Sequence, residues 1–188
     1  MARLQYSINV TLDGCCDHRA GIADPEMHQF WADVVTRANA LLYGRVTYQM
    51  MEGAWRPMAE SGVVPEDMAD WVLPFARSIH AARKYVASTT LQQVDWNARL
   101  IEGDLKAAIE QLKRDEHGII SLGGVNLAGQ IAAMGLIDDY ILVVHPRIAG
   151  HGPTLFSGLP SYIDLTLTSQ RTFASGALAL TYEARPQP

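Results

Sequence analysis

Cysteine is almost absent. The 188 residues include two, Cys15 and Cys16, and they are neighbours. Adjacent thiols cannot staple distant segments, so a disulfide framework is excluded. Two are also too few for an all-cysteine structural zinc site. They are expected to be reduced, as in a cytoplasmic protein. Long apolar runs are missing too: none approaches the roughly 18 residues of a membrane-spanning helix. The N-terminus lacks the apolar stretch of a signal peptide. Excess charge is small. Lys and Arg total 15, Asp and Glu total 20, and the net charge is −5. That balance argues against broad binding to nucleic acid or anionic membranes. The six histidines show no H-x-H or H-E-x-x-H spacing, so a zinc hydrolase is not expected. Ser157 sits in Phe-Ser-Gly rather than G-x-S-x-G, which removes the hydrolase elbow. The Rossmann fingerprint G-x-G-x-x-G is also absent.

What remains is an ordinary globular composition, 48% apolar and 19% charged. The length fits one domain over residues 1–188, able to bury about 70% of its unfolded surface. Strand-like and helix-like segments alternate. Residues 4–12 alternate apolar and polar side chains, as a strand does. Asp24, Pro25 and Glu26 open a helix whose apolar face carries Phe30, Val34, Val35 and Ala38. Residues 40–43 form a short buried strand. Residues 45–51 are helical, 53–62 a loop, and 65–79 a second helical region interrupted near Pro74. Short strands follow at 85–88 and 98–101, then a helix capped by Asp104 and stopped at Gly118. A buried strand at 119–122 runs into Gly123-Gly124 and a helix over 125–134, and 140–144 is another strand. Residues 163–173 and 177–182 alternate as a pair of strands around a Ser175-Gly176 turn. Early βα units with a late hairpin predict a mixed sheet with helices on its faces.

Three strand ends carry chemistry. At the first, Tyr43, Gly44, Arg45 and Thr47 lead from a buried strand into a helix start, which attracts anions. Arg45 adds a bidentate phosphate donor. At the second, Gly123 and Gly124 let a backbone approach a ligand closely before a helix begins. At the third, Ser88 and Thr89 follow a strand preceded by Arg83 and Lys84, a set able to grip a ribose 2′-phosphate. Each alone is equally well an ordinary turn. Together they suggest a cofactor laid across the carboxyl ends of neighbouring strands.

The segments 7–14 (SINVTLDG), 42–48 (LYGRVTY), 84–89 (KYVAST), 121–128 (SLGGVNLA), 136–140 (LIDDY) and 146–156 (PRIAGHGPTLF) occur in a recognisable order. In that order and spacing the chain resembles the reductase domain of the bifunctional deaminase-reductase of riboflavin synthesis, within the dihydrofolate reductase-like superfamily. The resemblance implies a three-layer α/β/α fold: a mixed, mainly parallel central sheet with a C-terminal antiparallel hairpin. It implies NADPH as cofactor and a small heterocyclic substrate, as for 5-amino-6-(5-phosphoribosylamino)uracil reductase. It also implies a homodimer. Residue by residue, it places Gly44, Arg45 and Thr47 at the pyrophosphate turn and Ser88 and Thr89 near the adenine ribose. Gly123, Gly124, Asn126 and Leu127 fall at the glycine turn beside the cofactor. Asp13 falls near the meeting of nicotinamide and substrate, as the candidate catalytic residue that orients substrate or relays a proton.

The resemblance has gaps. His28 stands at the spacing where dihydrofolate reductases carry an acid on the first helix, so a pterin substrate is the lesser alternative. The zinc signature of the deaminase half, H-x-E with P-C-x-x-C, is absent, which leaves a stand-alone reductase domain. Arg147, His151 and the loop from Gly150 to Gly152 are possible contacts for a second, substrate-borne phosphate. His145 flanks the same loop. Trp31, Tyr48 and Trp55 are able to stack on a planar ring, or to pack in the core. Two further alternatives stay open: an NADPH-binding sensor or scaffold without chemistry, and a structural domain that binds no nucleotide.

Overall fold

The computed structural model describes residues 1–66, 68 and 72–185. Its strands are β1 (Arg3–Thr11), β2 (Ala40–Gly44), β3 (Lys84–Ala87), β4 (Ala98–Ile101), β5 (Ile119–Leu122), β6 (Asp139–His145), β7 (Leu165–Thr172) and β8 (Leu178–Ala184). Its helices are α1 (Pro25–Arg37), α2 (Arg45–Ser61), α3 (Val72–Ala81), α4 (Leu105–Asp115) and α5 (Asn126–Ala133). The strands form one sheet in the order β4-β3-β2-β5-β1-β6-β8-β7. The first six in that order are parallel to one another. β8 runs antiparallel to both β6 and β7, so the late hairpin closes one edge as expected.

Side chains alternate across the sheet, and each face finds its own helices. Leu4, Tyr6, Leu42, Ile120 and Leu122 meet Ile109 and Leu112 of α4 and Ala128 and Ile131 of α5. On the other face Leu41, Tyr43 and Val86 meet Ala32 and Val35 of α1, Tyr48 of α2, and Phe75 and Ile79 of α3. This is the three-layer, dihydrofolate reductase-like architecture. Covering both faces explains why residues 40–43 are all buried and read as a continuous apolar run. The crossovers from β1 to β2 to β3 step toward one edge, and those from β5 to β6 step back. Connections leaving β2 and β5 therefore diverge to opposite faces and open a crevice at their carboxyl ends.

One expected loop is helix. α2 runs through Gly53 and Pro57 to Ser61, where Gly62 ends it in the left-handed region at φ +70°. Tertiary packing outweighs the local breakers. Trp55 lies edge-on to Phe75, with ring centroids 4.8 Å apart, and Met58 is buried beside Val72 and Ala76 of α3. On the outer side Arg56 bridges Glu52, Glu60 and Asp95 at 2.8–2.9 Å. The second expected helix, over 65–79, begins only at Val72 among the described residues, and part of that expectation (67 and 69–71) lies outside them. Pro74 then sits in the first turn of the described helix, where proline is tolerated.

Lys84 has no solvent exposure at the start of β3. Its ammonium donates to the carbonyls of Ala82 (2.7 Å) and His80 (3.2 Å) and lies 4.1 Å from the Trp96 ring centroid. Burial pushes this lysine down to about 8. In the unfolded chain it keeps its proton to about pH 10. Between about pH 8 and 10 the unfolded state therefore binds more protons, and stability gains with pH in that window. Denaturant midpoints of the wild type, measured against Lys84→Met over this range, are expected to converge on or overtake the variant's as pH rises. A constant difference between the two would show that the ammonium is as well solvated as in the unfolded chain.

Candidate functional site

The crevice between β2 and β5 is built from the two predicted turns. Gly44 ends β2 and precedes α2, and Gly123-Gly124 ends β5 and precedes α5. The turns touch. A Cβ at Gly123 would stand 2.9 Å from the Tyr43 ring, and one at Gly124 would collide with the Thr47 hydroxyl. A Cβ at Gly44 would stand 3.6 Å from that of Leu127. Gly124 has φ +96°, which side chains avoid. The structure thus gathers Gly44, Thr47, Gly123, Gly124 and Leu127 in one place. Leu127 is buried and supports the turn from below. Asn126 and Arg45 are exposed at the first turns of α5 and α2.

The helix starts in this crevice differ from two others. Asp24 caps α1 by accepting from Glu26 and Met27 amides, and Asp104 caps α4 by accepting from the Ala107 amide. α2 and α5 have no side-chain cap and no acid in their first turns. Their leading N–H groups and dipoles stay available to an anion. Tyr6 strengthens this arrangement. Its buried hydroxyl donates to the Gly124 carbonyl at 2.8 Å, which turns that carbonyl into the sheet. The peptide is planar, so the Val125 N–H points the opposite way, out of the sheet.

Ser88 and Thr89 lie at the carboxyl end of β3, beside β2. Ser88 Oγ accepts from the amides of Thr90 (3.2 Å) and Leu91 (3.1 Å), and Thr89 is exposed. The basic pair expected to join them does not. Arg83 and Lys84 stand at the amino end of the same strand, about 10 Å or more away at 3.3 Å per residue. Arg83 donates to Glu116 at 2.6 Å there, and Lys84 is buried. The exposed cation at the crevice is Arg45, with Gln49 Oε1 at 3.5 Å.

Asp13 follows the carboxyl end of β1. It accepts from the Thr11 hydroxyl and from the amides of Ala149 (3.0 Å) and Gly150 (2.6 Å). These bonds, the Thr11 hydroxyl first, hold its carboxyl well below the usual range. At neutral pH it carries no proton. The same contact changes the reading of the 150–152 loop. Within the 150–152 loop named for a second phosphate, the Gly150 amide already holds a carboxylate from the chain itself. Arg147 is likewise engaged, donating to the Ala20 carbonyl at 2.9 Å, and His151 is exposed.

Tyr48 and Trp55 pack in the core, against Trp96 and Phe75. Trp31 is half-buried, and its indole N–H donates to Asn9 Oδ1 at 3.1 Å. His145, 1% exposed at the end of β6, reaches the same oxygen at 3.2 Å. Burial, then Arg147, pushes His145 below the usual histidine range, so it is neutral at pH 7. His28 is half-buried, edge-on to Phe75, with Nδ1 3.1 Å from the Asp24 carbonyl. Asn9 was not among the residues marked by the sequence. Asn9 is one of several alternating polar residues of β1, with Gln5, Ser7 and Thr11, and nothing in the spacing sets it apart.

A family model for the RibD C-terminal domain matches residues 2–179. The chain belongs to the RibD C-terminal domain family. It is 30% identical over 186 residues to the uncharacterized protein YyaP of Bacillus subtilis, covering 96% of this chain and 94% of that one. Its fold is similar to that of a protein from Shewanella sp. PV-4 assigned to riboflavin biosynthesis. The TM-score is 0.73 at 18% identity, covering 98% of this chain and 99% of the other. A third similarity is to a Thermotoga maritima diaminohydroxyphosphoribosylaminopyrimidine deaminase/5-amino-6-(5-phosphoribosylamino)uracil reductase, with a TM-score of 0.67 at 15% identity. That alignment covers 97% of this chain but 56% of the Thermotoga chain. The RibD C-terminal family thus occurs here as nearly the whole sequence. Among the described residues no cluster of His, Cys, Asp and Glu is arranged to hold a metal, and no helix is long and apolar enough to cross a membrane.

Proposed function

We propose that this protein is an NADPH-dependent reductase of a small heterocycle of the pyrimidine type. The observation that carries the reading is the pair of uncapped, acid-free helix starts at the β2/β5 crevice. Their amides suit a diphosphate, and the glycines at 123 and 124 keep the approach clear of side chains. Family membership supports the choice of chemistry.

The residues present fit a dinucleotide. Gly44, Thr47, Gly123 and Gly124 would hold the diphosphate. Arg45, with Ser88 and Thr89, would meet the adenosine 2′-phosphate. The cofactor, when bound, supplies the hydride. The protein's own part is to orient the reactants and exclude water. Asp13 serves this by position. Ionised and bonded to Ala149 and Gly150, it ties the 149–155 loop over the end of β1.

Thermal melting with NADPH and NADH side by side tests the reading. At a hundred times Kd a ligand of the folded state adds about 2.7 kcal/mol. At about 2–4 °C per kcal/mol, NADPH is expected to raise the melting temperature by about 5–10 °C. NADH should do much less, because it brings no phosphate to Arg45. No shift with either at millimolar concentration would remove the cofactor site. A shift without NADPH oxidation across a panel of pyrimidine acceptors would favour a sensor over an enzyme.

A further inference from the structure

On β1, Ser7 and Asn9 occupy the face turned toward α1, since Tyr6 and Ile8 face the opposite core. The hydrogen bonds around Asn9 determine which way its carboxamide points. The Ile22 backbone N–H lies 3.2 Å from His145 Nδ1. A backbone N–H only donates, so Nδ1 is the unprotonated acceptor and the neutral ring carries its hydrogen on Nε2. Nε2–H then donates to Asn9 at 3.2 Å, and the Trp31 indole N–H donates to the same atom at 3.1 Å. Both partners are donors, so the atom between them is oxygen. The side-chain amino group of Asn9 is thereby committed to the other direction. Among the described residues it has no hydrogen-bond partner, and it is not sealed from its surroundings. Ser7 Oγ, two residues earlier on the same face, is buried and also without a partner.

We propose that Asn9 is a specificity-determining residue, a donor locked in place by Trp31 and His145 that selects a ring carbonyl on the substrate heterocycle. The inference rests on the reductase reading above. The lock matters because a free asparagine flips and accepts or donates at will, whereas this one presents N–H alone. A ring edge carrying an amino group at that point would set two donors against each other and leave both unpaired. A carbonyl oxygen would pair with it. The buried Ser7 hydroxyl is the next polar group along the same face.

Two probes of equal size separate the alternatives: uracil, with ring carbonyls, and 2,4-diaminopyrimidine, with amino groups in their place. Calorimetric titration of each, with and without NADPH, is expected to show a preference of at least about tenfold for the uracil in the wild type. Asn9→Asp keeps the shape and both incoming hydrogen bonds but exchanges the amino group for an acceptor oxygen. It should invert the preference. Trp31→Phe removes one of the two locking donors and should bring the ratio toward one. NADPH affinity and melting temperature should stay close to wild type in Asn9→Asp. An unchanged probe ratio in Asn9→Asp, with NADPH still bound, would overturn the assignment of Asn9. Loss of NADPH binding in the wild type would instead overturn the reductase reading, while the cofactor-free titrations would still score Asn9.

Discussion

Gly124→Val is expected to cost this protein its NADPH binding. Gly124 sits at φ +96°, outside the regions open to L side chains, and the space where a Cβ would go is held by the Thr47 hydroxyl. A β-branched residue there must either move the backbone to ordinary φ or push the start of α2 away. Moving the backbone breaks the Tyr6 hydroxyl's bond to the Gly124 carbonyl and turns the Val125 N–H away from its outward course. Moving α2 separates the two helix starts that together offer amides to a diphosphate. Strain and overpacking together should destabilise the fold by about 2–4 kcal/mol. NADPH affinity should fall by at least about a hundredfold, since either route loses several charge-assisted bonds. Calorimetry at a temperature where the variant remains folded gives the decisive number. Binding within threefold of wild type, an approximate allowance for context, would show that the diphosphate does not use this crevice.

Asp138→Ala is expected to act on stability alone. Asp138 Oδ2 accepts from the Leu4 amide at 2.7 Å and pairs with the Lys113 ammonium at 2.7 Å. Lys113 is buried at the end of α4, where its ammonium also donates to the Leu136 carbonyl at 3.0 Å. Removing the carboxylate leaves a largely desolvated ammonium without its counter-charge and the Leu4 amide without its side-chain acceptor. Allowing for the partial exposure of Asp138, the loss should be about 2–4 kcal/mol. That corresponds to a fall in melting temperature of about 5–15 °C. The neighbouring Asp139 provides the control. It pairs with Arg3 at 2.6–2.7 Å, but the arginine is half-exposed, so Asp139→Ala should cost about 1 kcal/mol or less. Asp139 opens β6 and Asp138 immediately precedes it, at the amino end of the sheet and away from the crevice. NADPH affinity of the folded Asp138→Ala protein should therefore be unchanged. A variant that melts normally would mean Lys113 finds water or another acceptor.

Much of this was legible in the residue order. The cap at Asp24, the helix after Asp104, the glycine turn after β5 and the late hairpin all follow from local chemistry: short polar caps, 3.6-residue periodicity, two-residue alternation and positive φ at glycine. Those signals act within a few positions and survive without tertiary context. They gave the two glycine turns that meet at the crevice. The length of α2 was not legible, because Gly53 and Pro57 are breakers locally and only Phe75, Val72 and Ala76 across the helix pair reward continuing. The basic pair before β3 was misleading for a related reason. A strand separates its two ends by its full length, so neighbours in sequence became opposite ends of the sheet.

The sequence by itself determined the class of fold, the βα rhythm and the family pattern, since these depend on composition and on spacings along the chain. Tertiary structure alone decided which helix starts remain uncapped side by side. It also decided that Asp13 holds the 149–150 amides, and that residues 9, 31 and 145 share one oxygen. These are contacts across roughly twenty to more than a hundred positions. No local propensity encodes them, because the free energy that selects them comes from burying both faces of the sheet at once.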